Sequence, residues 1–190
     1  MKLRTANKTD APEAARLIHL AIKDIAEKLT GEKEESKIQH ELTELFTQEQ
    51  NRFSYQNASV MIAGGKLAGM FIAYSGDEAE MLDQLILDRV IKKTGETDIS
   101  FDQEADKSDY YLDTLSVHPD FQRRGIGSLL LQYFEKVANQ KGFTTVSLNV
   151  AQDNPKAKEL YVKLGYKKKK AIMINDHQYD YMVKNLRSSR

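Results

Sequence analysis

Val117-His-Pro-Asp-Phe-Gln122-Arg-Arg-Gly125-Ile-Gly127-Ser128 decides how the rest of the chain is read. Tyr110-Tyr-Leu-Asp-Thr-Leu-Ser-Val117, apolar and extended, runs into it. An amphipathic helix runs out of it, with Ile126, Leu129, Leu130, Tyr133, Phe134, Val137 and Ala138 at helical spacing until Gly142. Between strand and helix lies a short turn with two arginines and two glycines. Such a turn aims several backbone N–H groups at one anion, and the helix dipole adds to the attraction. Arg123 and Arg124 add mobile positive charge. The chemistry implied is capture of a phosphate or pyrophosphate, hence a nucleotide-bearing cofactor. Two familiar glycine motifs do not fit. A dinucleotide fingerprint needs a glycine where Leu130 stands, and a P-loop needs Gly-Lys-Ser/Thr, which is absent.

Downstream stands Asn154-Pro-Lys-Ala157-Lys-Glu-Leu-Tyr161-Val-Lys-Leu-Gly165-Tyr166. With Gln122-Arg-Arg-Gly125-Ile-Gly127 it resembles the GCN5-related N-acetyltransferase (GNAT) family. That family's cofactor loop reads Gln/Arg-x-x-Gly-x-Gly/Ala. Its second segment reads Asn-x-x-Ala-x-x-x-Tyr-x-x-x-Gly-Phe, with Tyr166 here in the last place. The opening strand Lys2-Leu-Arg-Thr-Ala6 and the capped helix after it look like the family's first βα unit. The likeness is specific over 110–166 and vague over 76–108. It implies a single-domain α/β GNAT-like fold over 1–190, a mixed twisted sheet of about seven strands with helices on both faces. Residues 76–108 form a variable helical and acidic insertion within it.

Composition narrows the class. With 28 basic and 28 acidic residues the chain lacks the basic excess of a general nucleic-acid binder. The absence of cysteine excludes disulfides, thiolate metal sites and a cysteine nucleophile. The four histidines are too scattered to suggest a metal site. No apolar run approaches the roughly 18–20 residues of a membrane span, and the N-terminus lacks the apolar core of a signal peptide. The expected setting is the cytoplasm, as a monomer or homodimer.

Along the chain, Thr9 or Asp10 is expected to cap a helix, with Glu13 completing a capping box with Asp10. Its apolar face runs Ala14, Leu17, Ile18, Ala21, Ile22, Ile25, up to a break at Gly31. A second helix is expected over 34–48. Strands over 53–63 and 67–74 flank the hairpin turn Gly64-Gly65-Lys66. Leu82, Leu85, Ile86 and Val90 suggest a helix ending before Gly95, and the acidic stretch 96–109 reads as a mobile loop. Strand 144–150, a helix capped by Asn154 with Pro155 in its first turn, and a hairpin across 175–177 complete the order.

Acyl transfer from a thioester to an amine needs a held cofactor, a polarised carbonyl, a deprotonated amine and a proton for the thiolate. The resemblance implies acetyl-CoA, its pyrophosphate on the amides of Gln122, Arg123, Arg124, Gly125, Ile126, Gly127 and Ser128. Its pantetheine would pair with the strand at Leu115, Ser116 and Val117, and an N–H near Leu115 or Ser116 would polarise the carbonyl. Tyr161 shares a helix face with Asn154 and Ala157. Spacing alone reads Ala157, Leu160, Tyr161 and Leu164 as a core stripe; the resemblance implies that Tyr161 faces the cofactor sulfur as general acid and Asn154 bonds the pantetheine arm. Where the family often carries a glutamate base, this chain has Tyr111. Asp113 is the candidate base, or a buried anchor; by alternation it shares a face with Tyr111, Leu115 and Val117, and a water chain is the third option. His118 is read as part of the turn. Lys167 to Lys170 read as a solvated strand end whose alternate members face opposite sides. Six acids, Glu96, Asp98, Asp102, Glu104, Asp106 and Asp109, would steer a cationic amine or line a solvated loop. The expected activity is direct acetyl transfer to a primary amine, a small molecule more than a protein, with no nucleic-acid or membrane partner. The alternative is a catalytically inactive acyl-CoA sensor or partner-binding module.

Overall fold

The alternating helix and strand periods resolve, in a computed structural model that describes residues 1–186, into a layered α/β arrangement. The domain expected over 1–190 ends on residues outside those described. Strand β1 (Lys2–Thr5) leads to α1 (Ala11–Ile22), α2 (Ile25–Thr30) and α3 (Glu35–Thr47). The hairpin β2 (Ala58–Ala63) and β3 (Lys66–Ser75) is followed by α4 (Ala79–Thr94) and β4 (Tyr110–Val117). Then come α5 (Ile126–Gln140), β5 (Thr145–Ala151), α6 (Pro155–Lys163) and the hairpin β6 (Lys167–Ile174) and β7 (His177–Asn185). The seven strands lie in the order β1-β2-β3-β4-β5-β7-β6. Among the described residues only β4 and β5 pair in parallel, so the sheet is mixed, as expected.

Helices cover both faces. On one, Ile18, Leu42, Phe46 and Ile86 pack on Met70, Ile72, Tyr74 and Tyr111. On the other, Leu130, Phe134 and Ala138 of α5 pack with Tyr161 on Phe71, Ala73, Leu112 and Leu148. Each fully buried Leu, Ile or Phe contributes about 1.5–3 kcal/mol. A Cβ on Gly69 would lie 3.0 Å from both Leu130 Cδ1 and Ser116 O. Its absence lets α5 sit down on β3 beside the end of β4.

The parallel ladder of β4 and β5 covers only Tyr110↔Val146, Tyr111↔Ser147 and Leu112↔Leu148. Past it, β4 stays with β3 as far as Val117↔Gly69, while β5 stays with β7 as far as Ala151↔Tyr179. The two strands splay, and the splay begins at a bulge. Thr114 opposes Ile72 and Leu112 opposes Ala73, which leaves Asp113 with no partner on β3. An extra residue of this kind bends the strand and re-aims its side chains. It corrects the expected alternation. Tyr111 packs in the α1–α4 layer, whereas Leu115 and Val117 pack in the α5–α6 layer. Asp113 bonds to Tyr74 and so goes with Tyr111, not with Leu115 and Val117.

Other boundaries also move. The capping box forms between Asn7 and Asp10 around a short 3-10 turn, because Asn7 is extended and Asp10 accepts from its N–H. Asp10 makes no side-chain cap to α1, and Glu13 instead accepts from Leu67 N–H at 3.2 Å. The helix expected to run to Gly31 breaks at Lys23, where φ is 51°. The strand expected from Phe53 begins at Ala58. Asn51 is fully buried, donates to Leu45 O and accepts from Phe53 N–H, and this holds 51–57 as a turn. In the lysine run the register shifts between Lys168 and Lys170, so Lys169 and Lys170 both reach Asp106.

Candidate active site

The splay of β4 and β5 opens a cavity of about 440 Å³. Its walls bring together Asp113, Leu115, Ser116, Val117, Gln122, Asn154, Ala157 and Tyr161, residues singled out from sequence. Arg123, Arg124, Gly125, Ile126, Gly127 and Ser128 do not line it; they form the turn where β4 hands over to α5. Beyond the ladder, residues 113–117 of β4 lack a partner strand on the β5 side. Apart from Val117 O, which accepts from Gln122 Nε2, their backbone groups on that side face the splay and not a neighbouring strand.

The turn exposes its backbone at the start of α5. His118 caps a 3-10 turn, accepting from Asp120 N–H at 3.2 Å, which bears out its structural reading. Gln122 Nε2 donates back to Val117 O at 3.3 Å and ties the loop to β4. Arg123 and Gly125 take left-handed φ of 59° and 78°. No side chain caps α5, and its first turn carries no acid. The first-turn N–H groups of a helix have no intrahelical acceptor, so here they face outward beside two exposed arginines. Ile126 is 2% exposed and packs into the core, so only its backbone is offered.

Asn154 caps α6 by accepting from Ala157 N–H at 3.2 Å. Tyr161 follows on the same wall of the cavity, with its ring edge-on to Tyr166 at 6.0 Å. Burial pushes its phenol up to about 12, so it keeps its proton at neutral pH. Tyr161 belongs to the core layer, as spacing alone reads it, and it also lines the cavity.

The far end of the cavity holds a network that sequence reading missed. Arg52, 4% exposed at its side chain, donates Nε to Asp113 Oδ2 at 2.8 Å and a terminal N to Glu104 Oε1 at 2.9 Å. It also reaches Asp83 Oδ1 at 3.3 Å. Tyr74 donates to Asp113 Oδ2 at 2.6 Å, Thr114 to Asp113 Oδ1 at 2.8 Å, and Tyr111 to Glu104 Oε2 at 2.7 Å. Asn149 of β5 donates to Tyr111 Oη at 3.0 Å and to Glu104 O at 2.9 Å. Burial opposes the Arg52 charge, but Asp113 and Glu104 outweigh it and raise its pKa. Burial lifts the carboxyl of Glu104 against the pull of Arg52. Burial also pushes the phenols of Tyr74 and Tyr111 well above their ordinary value. Asp113 is thus held by several donors in a sealed position.

The loop that carries Glu104 is pinned, which corrects its reading as mobile and solvated. Asp109 accepts from Tyr181 Oη at 2.6 Å, Asp106 from Lys169 and Lys170, and Asp102 from Asn175 N–H. Of the six acids expected to steer a cation, Glu104 is the one that lines the cavity. Sequence reading places Glu104 only as one of six acids and misses Arg52, whose partners lie far along the chain.

Comparisons with known proteins agree with this architecture. One solved structure, "The crystal structure of acetyltransferase", is 32% identical, with a TM-score of 0.81 over 98% of this chain and 100% of that one. An N-acetyltransferase from Staphylococcus aureus Mu50 is 22% identical, with a TM-score of 0.82 over 97% of this chain and 100% of that one, and shares the fold. The ribosomal-protein-S18-alanine N-acetyltransferase from Escherichia coli, 17% identical, matches with a TM-score of 0.59 over 97% of this chain and 92% of that one. The family model described as "Acetyltransferase (GNAT) family" matches residues 21–166, the stretch that contains the turn, the splayed strands and Tyr161. On that match the chain belongs to the GNAT acetyltransferase family.

Proposed function

We propose that the protein is an acetyl-CoA-dependent N-acetyltransferase that acts on a small primary amine by direct transfer. The observation that carries this reading is the splay of β4 from β5 past Leu112 and Leu148, with an uncapped helix N-terminus at one end and Tyr161 on its wall. The residues present fit coenzyme A. Outward N–H groups between Gln122 and Ser128 suit a pyrophosphate, and the unpaired side of β4 at Leu115–Val117 suits the pantetheine amides. Acetyl-CoA supplies an activated thioester. An N–H of Leu115 or Ser116 would polarise its carbonyl oxygen. Tyr161, protonated at neutral pH, holds the proton that the departing thiolate needs. Asn154 would orient the arm from α6. The chain contains no cysteine, which favours direct transfer over an acyl-cysteine route. A cavity of about 440 Å³ is of small-molecule size. In the role of Asp113 we favour the anchor over the base, because Arg52, Tyr74 and Thr114 already occupy it.

The test is release of free thiol from acetyl-CoA with a panel of primary amines. The proposal predicts amine-dependent thiol release matched by acetylated amine in equal amount. Tight coenzyme A binding with no amine-dependent release across aliphatic, aromatic and peptide amines would refute catalysis and return the sensor.

A further inference from the structure

The acceptor end of the cavity has a chemistry of its own, and reading it rests on the acetyl-transfer proposal. One guanidinium, Arg52, faces three carboxylates, Asp83, Glu104 and Asp113. The cluster therefore carries an excess of negative charge when all are ionised. The carboxylates differ in access. The side chain of Asp113 is 2% exposed and accepts from Arg52, Tyr74 and Thr114. Glu104 is 15% exposed, lines the cavity, and accepts one bond on each oxygen. A carboxylate oxygen has about two lone-pair sites, so each oxygen of Glu104 keeps one. Apolar side chains line part of the same cavity. Leu20, Ile25 and Leu29 come from α1 and α2, and Ile174 and Tyr179 from the closing hairpin. Leu20 is 47% exposed at the rim. Lys23 and Asp24 add one charge of each sign there.

We propose that Glu104 binds the ammonium group of the acceptor and takes its proton, and that this acceptor is a primary amine on a small apolar body. An N–H bond of the ammonium breaks and its proton passes to a Glu104 oxygen. The freed lone pair attacks the thioester carbonyl. The C–S bond then breaks, and the thiolate takes the Tyr161 proton. The phenolate recovers a proton from the new amide nitrogen, and Glu104 returns its own to solvent. The net reaction is ammonium plus thioester to amide, thiol and one proton.

The groups around Glu104 and its partner Arg52 come from four strands, the loop before β2 and one helix: Arg52 before β2, Tyr74 on β3, Asp83 on α4, Tyr111 and Asp113 on β4, Asn149 on β5 and Tyr179 on β7. Burial favours its neutral form most, Arg52 opposes this, and Asp113 adds to it, so its carboxyl is a stronger proton acceptor than an ordinary one.

The test uses the whole chain, Glu104→Gln, and 2-phenylethylamine with its uncharged counterpart 2-phenylethanol. Glutamine keeps an oxygen that accepts from Arg52, while its amide nitrogen meets Tyr111 Oη as a donor in place of an acceptor. Titrated into the coenzyme A complex, the wild type should bind the ammonium at least about tenfold more tightly than the alcohol, and E104Q should lose that preference. With saturating acetyl-CoA, kcat/KM for the amine should fall about 100-fold or more at pH 7. The deficit should close as pH rises toward the amine's own deprotonation. Equal binding of amine and alcohol by the wild type would overturn the proposal. So would an E104Q deficit constant with pH, or a preference for amines with polar, charged bodies. Failure of coenzyme A itself to bind would instead overturn the acetyl-transfer reading.

Discussion

Replacing Arg52 with methionine tests whether the buried network was identified correctly. The substitution removes the cation but keeps most of the apolar stem. It deletes the contacts to Asp113 at 2.8 and 2.6 Å, to Glu104 at 2.9 Å and to Asp83 at 3.3 Å. Asp113, sealed at 2% exposure, bears the largest loss because water cannot replace the guanidinium. Asp83 and Glu104, at 16% and 15%, recover part of theirs from solvent or by protonation. Breaking a buried ion pair by removing one partner costs about 3–5 kcal/mol. For a chain of this size that lowers Tm by roughly 6–20 °C. The sign with pH follows from the carboxyls. Burial already lifts the carboxyls of Asp83 and Glu104 against the pull of Arg52, and without Arg52 they lie further above the unfolded value of about 4. The deficit is therefore full at pH 8 and shrinks as pH falls through the raised values and the carboxyls take up protons. Urea melts at pH 8 and pH 5 measure this directly. A variant within about 1 kcal/mol of wild type at pH 8, or a gap that does not narrow at pH 5, would refute the network as drawn.

Three further outcomes are expected. Gly125→Glu places a negative side chain at a residue with φ of 78°, in the turn proposed to hold the pyrophosphate, and should abolish coenzyme A binding by calorimetry while the protein stays folded; unchanged affinity would refute that placement. Tyr161→Phe should cut turnover by about 10- to 1,000-fold with little change in coenzyme A affinity, and equal turnover at saturation would return Tyr161 to the core alone. Lys158 and Lys168 hold the carboxyl of Asp180 down to about 2, so its contribution is full above the ordinary aspartate value and is lost as pH falls toward about 2. The stability gap between wild type and Asp180→Asn, read from melts, should be open at pH 6 and closed near pH 2; a gap independent of pH would contradict the pairing.

The elements legible in the sequence are those whose apolar period is long. The helix after Gly125 and the hairpin at Gly64-Gly65 fall where their patterns put them. The boundaries that moved depend on single residues with no periodic signature. A left-handed Lys23 breaks α1, and buried Asn51 replaces the start of a strand with a turn. The bulge at Asp113 inserts one residue into a run that stays apolar on both sides, so the pattern gives no warning that the faces exchange. The half of the cavity proposed for the cofactor was legible because its residues cluster between 115 and 161. The network at Arg52 was not, although Asp113 and Glu104 were named singly, because Arg52 meets its partners across 31, 52 and 61 residues of chain. Only the fold brings them together.

The most direct test of the account is a crystal structure of the protein with coenzyme A. The account predicts the pyrophosphate on the N–H groups between Gln122 and Ser128, the pantetheine along Leu115–Val117, and the sulfur within hydrogen-bond reach of Tyr161 Oη. Coenzyme A bound elsewhere, or bound in the cleft with its sulfur turned away from Tyr161, would contradict it.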